Sequence, residues 1–230
     1  NDMEKLFKLT PHVLAAINSK VDASTATGMG VIGAFEAFQK CFSQDFTNGV
    51  LVHGCGSVGR IVASELVKRK IKTFVVDIDT ERTNIPGVIS LGNDKNWYRK
   101  NFDVIFPCSI SGLISTNIAQ FLLKTKAIIS AANGPFSNDV IPAKLTDSNV
   151  VIIPDPLVNA GAVIADSIEK YAPDAWTRTS PEKVYNFVQE EVRKKCFTYL
   201  SLEQSGLSSK EILCLMQNEK NKIIGKSFLN

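Results

Sequence analysis

The chain has 230 residues, of which 44% are hydrophobic, and 26 basic side chains balance 23 acidic ones. This is enough apolar material for a continuous core, and the even charge excludes the strongly basic surface of a nucleic-acid-binding protein. No apolar run approaches the roughly 20 residues that span a bilayer, and the first residues lack the pattern of a secretory signal. We therefore expect a cytoplasmic protein that binds a small molecule, with neither nucleic acid nor a membrane as a partner.

Cysteine and histidine are too few and too scattered for several kinds of chemistry. The five cysteines show no C-x-x-C or zinc-ligand spacing, and an odd number fits a disulfide framework poorly, so we interpret them as reduced thiols. The two histidines, His12 and His53, offer little from which to build a metal site or a Ser/His/Asp triad. Hydrolases are therefore disfavoured, and no metal site is expected.

Predicted helices and strands alternate along most of the chain. Periodic apolar residues predict helices and short β-branched runs predict strands, in the order helix 28–42, strand 50–54, helix 57–70, strand 72–79, strand 103–106, helix 114–124, strand 127–130, helix 141–145 and strand 150–153. Such alternation predicts parallel βαβ units with right-handed crossovers. The expected fold class is α/β, a doubly wound Rossmann-type parallel sheet with flanking helices.

After Pro154 the strand pattern stops, and the chain is predicted to be helical over 159–171, 181–200 and 208–222. The second of these helices is expected to begin with Ser180 as its N-cap and Pro181 at its first position. We expect this tail to pack against the sheet rather than to form a separate domain. The chain is accordingly divided into lead-in helices over 1–48, a dinucleotide-binding domain over 49–172 and a C-terminal helical tail over 173–230.

A glycine-rich turn after the first strand predicts a site for the pyrophosphate of a dinucleotide. Gly54, Gly56 and Gly59 have the G-x-G-x-x-G spacing between a predicted strand and a predicted helix. The first permits a tight turn, the second lets backbone approach phosphate, and the third lets the helix pack close to the strand. Ser57 and Val58 lie at the start of that helix, where free N–H groups attract phosphate. The alternative is that the glycines serve only the turn and its packing.

Asp77 ends the second predicted strand, 18 residues after Gly59. A carboxylate there can accept hydrogen bonds from both hydroxyls of the adenine ribose, and it would repel a 2′-phosphate, a repulsion to which Asp79 adds. The position therefore favours NAD over NADP, with an ordinary strand-end turn residue as the alternative. His53, just before the first glycine, is interpreted as a packing residue.

Beyond these residues, the chain resembles the C-terminal NAD-binding domain of the glutamate/leucine/phenylalanine/valine dehydrogenase family over nearly its whole length. The resemblance is carried by four further segments, T-G-M-G-V at 27–31, P-C-S-I-S-G at 107–112, A-A-N-G-P at 131–135 and P-D-P-L-V-N-A-G-A-V at 154–163. It implies that Thr27, Asn133 and Asn159 lie near the nicotinamide and the substrate. It also implies that Cys108 and Ser109 line the dinucleotide. Segments that follow successive parallel strands gather at the carboxyl edge of the sheet, where ligands bind in doubly wound folds.

Each of these residues also has a purely structural alternative. Thr27 or Ser24 could cap a helix, Asn133 could belong to a turn, and Asn159 could be an N-cap. Cys108 has no histidine beside it in sequence, so packing explains it better than a role as a nucleophile.

The chain departs from the family pattern at three small residues. Ser109 and Ser111 stand where the family usually has Ala and Gly, and Ala162 replaces the second Gly of N-A-G-G. Exchanges between small residues should preserve the backbone geometry while shifting contacts to the cofactor.

The resemblance implies reversible, NAD-dependent oxidative deamination of an L-amino acid to a 2-oxo acid and ammonia. The family's catalytic lysine and aspartate would lie upstream of residue 1, so we expect this chain to be a truncated cofactor half without a catalytic residue of its own. An amino-acid substrate and a homo-oligomer formed through the missing domain are the implied partners. The alternative is a non-catalytic NAD-binding or regulatory module, because the fold does not fix the function.

Overall fold

The structure, a computed structural model, describes residues 20–43, 45–218 and 224–228. The strands are β1 Val50–His53, β2 Thr73–Val76, β3 Ile89–Ser90, β4 Val104–Pro107, β5 Ala127–Ile129 and β6 Val151–Ile153. They form one six-stranded parallel sheet in the order β3-β2-β1-β4-β5-β6. This order reverses between β1 and β4, as in a Rossmann-type fold, and it confirms the predicted doubly wound α/β sheet.

The central strands are mostly apolar because both faces of the sheet are covered. Val50 and Val52 point into one core and Leu51 into the other, so the first three residues of β1 are all apolar instead of alternating with polar residues. Strand β3 was not predicted. Its two residues, Ile89 and Ser90, are both exposed at the sheet edge, and a pair of residues is too short to produce a recognisable pattern.

The helices are α1 Ala23–Phe42, α2 Ser57–Lys68, α3 Thr116–Ala119, α4 Val140–Thr146, α5 Asp155–Val158, α6 Gly161–Tyr171, α7 Pro173–Arg178, α8 Pro181–Gln204, α9 Ser209–Asn218 and α10 Ile224–Ser227. Helix α1 begins five residues before its predicted start, because Asp22 Oδ1 accepts a hydrogen bond from Thr25 N at 2.7 Å and caps it. Helix α8 begins as predicted, with Ser180 as its N-cap and Pro181 at its first position.

Two predicted helices differ in the structure. The helix predicted over 114–124 is reduced to the single turn α3, because the backbone of Ile114 pairs instead with the segment around Phe136. The helix predicted over 159–171 begins only at Gly161. Asn159 instead ends the short helix α5, and its side chain donates a hydrogen bond to Asn133.

Helices α1 and α8 pack closely against each other, so that α8, part of the C-terminal tail, contributes side chains to the main core. A Cβ on Gly33 would lie 2.2 Å from the Gln189 carbonyl oxygen, so only glycine allows this approach. Val188, Tyr199 and other side chains of α8 are buried in the same core as Phe35 of α1. The first part of the predicted lead-in, residues 1–19, lies outside the described residues.

Among the described residues, no helix has the length and apolar character needed to cross a bilayer.

Candidate functional site

The three glycines of the turn between β1 and α2 have different surroundings. Gly54 has a φ of 93°, and a Cβ there would lie 2.6 Å from the Cβ of Ser109. A Cβ on Gly59 would lie 1.8 Å from the Gly54 carbonyl oxygen, so the helix packs directly on the turn. A Cβ on Gly56 would meet no atom within 4 Å. The fold therefore requires Gly54 and Gly59, whereas Gly56 borders open space.

The open space beside Gly56 lies at the N-terminus of α2. Gly56 is the N-cap residue and has no side chain to bond the first N–H groups, which include those of Ser57 and Val58. The first N–H groups of an α-helix lack partners within the helix, and the helix dipole adds positive potential there. This bare turn, with unfilled space and N–H groups that the N-cap side chain does not bond, fits a pyrophosphate group.

Asp77 lies beside this turn, just beyond the end of β2. Its Oδ2 accepts a hydrogen bond from Cys55 N at 2.6 Å and its Oδ1 accepts one from Asp79 N at 2.8 Å. The residue is only 7% exposed, so its carboxylate is held firmly between the glycine turn and the end of β2. A carboxylate oxygen has more than one lone pair, so each oxygen retains the capacity to accept a further hydrogen bond.

Apolar side chains are exposed at the same sheet edge. Ile78, directly after Asp77, is 92% exposed, and Ile110, in the loop after β4, is 66% exposed. A cavity of about 260 Å³ lies beside Ile78, and its other lining residues include His53, Asp77 and Trp97. Sequence reasoning missed both isoleucines, although an apolar residue directly after a strand-ending aspartate was a usable signal.

His53 connects the ends of β1 and β4. Its Nδ1 lies 2.9 Å from Ser109 Oγ, and its ring packs against Trp97 with the centroids 5.0 Å apart. Burial lowers the pKa of His53, which favours the neutral ring. The packing role expected for His53 is present, and the hydrogen bond to Ser109 adds a link that the sequence did not indicate.

The two cysteines near the turn are held as thiols. Burial, together with the nearby Asp77 carboxylate, raises the pKa of Cys55 to about 11. Burial likewise raises the pKa of Cys108. Because the thiolate is the nucleophilic form, these thiols are poorly suited to covalent catalysis, which supports packing as their role.

Asn133 and Asn159 meet at the opposite end of the sheet edge, and Thr27 lies against Gly161, two residues after Asn159. Asn159 Nδ2 donates to Asn133 Oδ1 at 2.7 Å and to the Ala131 carbonyl at 3.3 Å. Thr27 approaches through its backbone, because a Cβ on Gly161 would lie 2.8 Å from the Thr27 Cα. The N-cap alternative for Asn159 is wrong, because Asn159 is the C-cap of α5.

The loop that carries Asn133 is held by two side chains that sequence reasoning missed. Ser111 Oγ donates to the Asn133 carbonyl at 2.7 Å, and Asp155 Oδ2 accepts from Gly134 N at 3.1 Å. Gly112 N also donates to the Gly134 carbonyl at 2.7 Å. Ser111, one of the departures from the family pattern, therefore joins the loops after β4 and β5.

Comparison with known proteins identifies the family of this chain. The sequence model of the Glutamate/Leucine/Phenylalanine/Valine dehydrogenase family matches residues 68–219. The chain belongs to this family. A phenylalanine dehydrogenase of Caldalkalibacillus thermarum is 32% identical over 164 residues, which cover 66% of this chain and 44% of that protein. An L-tryptophan dehydrogenase of Nostoc punctiforme is 26% identical over 172 residues, which cover 71% of this chain and 48% of that protein.

Solved structures of dehydrogenases have the same fold. L-tryptophan dehydrogenase from Nostoc punctiforme superposes with a TM-score of 0.68 at 19% identity, over 90% of this chain and 59% of that one. Hetero-hexameric glutamate dehydrogenase from Thermus thermophilus superposes with a TM-score of 0.67 at 18% identity, over 89% of this chain and 52% of that one. The chain spans about half the length of the curated relatives it matches. Family membership and the Rossmann-type fold together imply a nicotinamide cofactor.

Proposed function

We propose that this chain is the cofactor-binding half of an NAD-dependent L-amino-acid dehydrogenase, which interconverts an amino acid with a 2-oxo acid and ammonia. The observation that carries the proposal is the placement of two complementary groups on one sheet edge. The open glycine turn and Asp77 follow β1 and β2, and the bonded pair Asn133 and Asn159 follows β5 and β6. An extended ligand laid from β2 to β5 would cross three strand spacings of about 4.8 Å each, over the point where the strand order reverses.

At one end of this edge, Asp77 would accept hydrogen bonds from the adenine ribose. Ile78 and Ile110 would provide apolar contacts for the adenine ring. Both side chains are exposed at this edge of the sheet, Ile78 after β2 and Ile110 after β4. The pyrophosphate would lie over Gly56, against the N–H groups of α2.

The same end favours NAD over NADP. Two backbone N–H groups hold the Asp77 carboxylate, so it cannot readily turn away from a ribose phosphate that carries roughly one and a half to two negative charges. Arg82 is engaged by Asp79, with Nε 3.2 Å from Oδ2. A 2′-phosphate would therefore meet a fixed negative charge while this cation is already paired.

At the other end, the bound nicotinamide supplies the hydride chemistry, and this chain supplies its orientation. Asn159 Nδ2 and Asn133 Oδ1 are used by their mutual hydrogen bond. The complementary atoms, Asn133 Nδ2 and Asn159 Oδ1, have no partner within the described residues, so one donor and one acceptor remain side by side for the carboxamide or the substrate amine. Thr27 would close this end from α1.

We further propose that the catalytic lysine and the oligomer interface belong to a part of the natural protein outside this chain. Thr27 Oγ1 donates to the Ala23 carbonyl of its own helix, and the Asn133 and Asn159 side chains bond each other. Within the described residues, none of the three bonds a lysine. Lys20, which precedes α1, donates to the carbonyls of Trp176 and Thr179. This chain alone is then expected to bind the dinucleotide without turning over an amino acid, because substrate positioning and a general base are both missing.

The test is NADH formation with a panel of the twenty amino acids at alkaline pH, measured on the 230-residue chain and on the natural protein at full length. We expect turnover only with the full-length protein, and Asn159→Ala should reduce that turnover more than it reduces NAD affinity. Robust turnover by the 230-residue chain would refute the division into two halves. If the full-length protein binds NAD but forms no NADH with any of the amino acids, the non-catalytic binding module would be favoured instead.

A further inference from the structure

Helix α6 begins two residues after Asn159, and one of its faces lies outside the core. Val163 on that face is 69% exposed. Asp166 follows Val163 by three residues, a spacing that places both on one side of the helix, and Asn159 lies just before the first turn of that helix. The face that starts at the candidate site therefore continues through Val163 to Asp166, whereas the opposite face is buried through Ile164, Ala165 and Ile168.

The direction of helical side chains brings the Asp166 carboxylate back toward the site. Each side chain leans toward the helix N-terminus and covers the turn before its own Cα. The five residues from Gly161 to Asp166 correspond to about 7.5 Å along the axis, so the Asp166 backbone lies about that far from the start of the helix, with its side chain leaning over Val163. A side chain of extended length can bridge this distance.

Asp166 lacks a counter-charge within the described residues. It is half-buried, and no lysine or arginine of the described residues forms an ion pair with it. Lys170, one turn further on, instead lies over the Tyr171 ring, with Nζ 5.3 Å from its centroid. Burial raises the pKa of the Asp166 carboxyl, and no bonding partner opposes that shift. A carboxylate in this position is stabilised by a cation that arrives with a ligand.

We infer that Asp166 binds the far end of the substrate side chain and that the substrate is an L-amino acid with a cationic side chain, such as lysine or ornithine. This inference rests on the proposed function. The α-amino group would lie beside Asn133 and Asn159, and the methylene groups would lie along Val163. The terminal ammonium would then reach Asp166, because a flexible four-carbon stem packs on apolar surface while its charge meets a carboxylate.

The test compares lysine with norleucine, which has a similar chain without the ammonium group, as substrates of the natural protein at full length. We expect kcat/KM for lysine to exceed that for norleucine at least tenfold. Asp166→Asn should lower kcat/KM for lysine about 10- to 100-fold while changing the norleucine value less than about threefold. Asp166→Glu, which keeps the charge, should retain the lysine preference, and Asp166→Lys should shift preference toward glutamate.

Asp174→Asn provides a matched control, because it removes an exposed carboxylate from the neighbouring helix α7 and should change neither value. NAD affinity measured by calorimetry should stay within twofold in all these variants, which also verifies that they fold. Preference for a neutral or acidic amino acid, unchanged in Asp166→Asn, would overturn the inference while the proposed function stands. No turnover of any amino acid by the NAD-bound full-length protein would overturn the proposed function and this inference with it.

Discussion

The two ends of the candidate site are built by different physical means. At the glycine turn, six consecutive residues create a backbone shape, and the absence of side chains is what leaves room for phosphate. At the opposite end, Asn133 and Asn159 come from separate loops and meet through a side-chain hydrogen bond, beside Thr27 of α1. Substitutions at the first end should therefore act through shape, and substitutions at the second through lost hydrogen bonds.

The largest effect is expected at Gly59. Because the glycine turn depends on backbone shape, a substitution there should destabilise the fold itself and not only weaken cofactor binding. Gly59→Ala places a Cβ 1.8 Å from the Gly54 carbonyl oxygen, so helix and turn must separate. We expect a loss of about 3 kcal/mol or more in the free energy of unfolding, measured with urea. Gly56→Ala is the matched control, with a cost of no more than about 1 kcal/mol. Equal stability of the two variants would contradict the distinction drawn between these glycines.

Gly56→Val should separate ligand binding from folding at the same turn. The space beside Gly56 is open for at least 4 Å, so a branched side chain fits the folded chain but occupies the phosphate position. We expect the Kd for NADH, measured by calorimetry, to rise by about 100-fold or more, with an unchanged circular dichroism spectrum. Gly56→Ala should give a smaller rise. Unimpaired binding, or outright unfolding, would remove Gly56 from the proposed site.

The contrast between the two ends also explains what the sequence could predict. The glycine turn is contiguous, and its spacing between a strand and a helix predicted its place directly. Thr27, Asn133 and Asn159 were identified only through a family resemblance, because no local pattern links them. Ser111 and Asp155 were missed, since their hydrogen bonds join positions 22 and 21 residues apart in different loops.

The same reasoning applies to the fold. Five strands were predicted because two covered faces make each one a continuous apolar run. Strand β3 escaped prediction because its residues are exposed, and the helix predicted over 114–124 shrank because Ile114 joined the Phe136 segment instead. The apolar pattern of a segment predicts its secondary structure well where burial of one or both faces fixes that pattern. It predicts poorly where residues are exposed, or where hydrogen bonds to a distant segment replace those of a helix.

Asp77 lies at the glycine end of the site, but it acts through hydrogen bonds and charge. It therefore tests the expectation that substitutions at this end act only through shape. Asp77→Asn keeps an acceptor oxygen for Cys55 N while removing the charge that repels a 2′-phosphate. We expect NADH affinity to fall about tenfold and the preference for NADH over NADPH to narrow, by calorimetric titration with each. Equal or tighter NADPH binding to the unmodified chain would contradict the assignment.

Ser111 offers a milder test at the opposite end. Ser111→Ala removes the hydrogen bond to the Asn133 carbonyl, which should cost about 1 kcal/mol of stability and weaken NADH binding about threefold. The exposed Ser137→Ala variant is a control of the same chemistry, because no side-chain hydrogen bond of Ser137 is found within the described residues. Identical effects of the two substitutions would show that the Ser111 bond does not hold the Asn133 loop.

The smallest expected effect concerns His53, which joins the strand ends on either side of the reversal in strand order. Burial lowers the pKa of His53 in the folded chain below its ordinary value of 6.5, whereas the unfolded chain keeps that value. The unfolded state therefore binds more protons in the window just below pH 6.5, so the contribution of His53 to stability is complete above pH 6.5 and is lost as the pH falls through that window.

His53→Gln should flatten this dependence, because glutamine does not titrate and can still bond Ser109 Oγ. We expect the difference in unfolding free energy between the two proteins to change by under about 1 kcal/mol between pH 7.5 and 5.5, with His53 losing more stability at acidic pH. Using the difference cancels the contributions of the other titratable groups, such as Asp166 and Glu203, whose pKa values burial raises. A wild-type chain that gained stability over His53→Gln on acidification would mean that the folded state favours a charged His53, and the neutral link between β1 and β4 would be wrong.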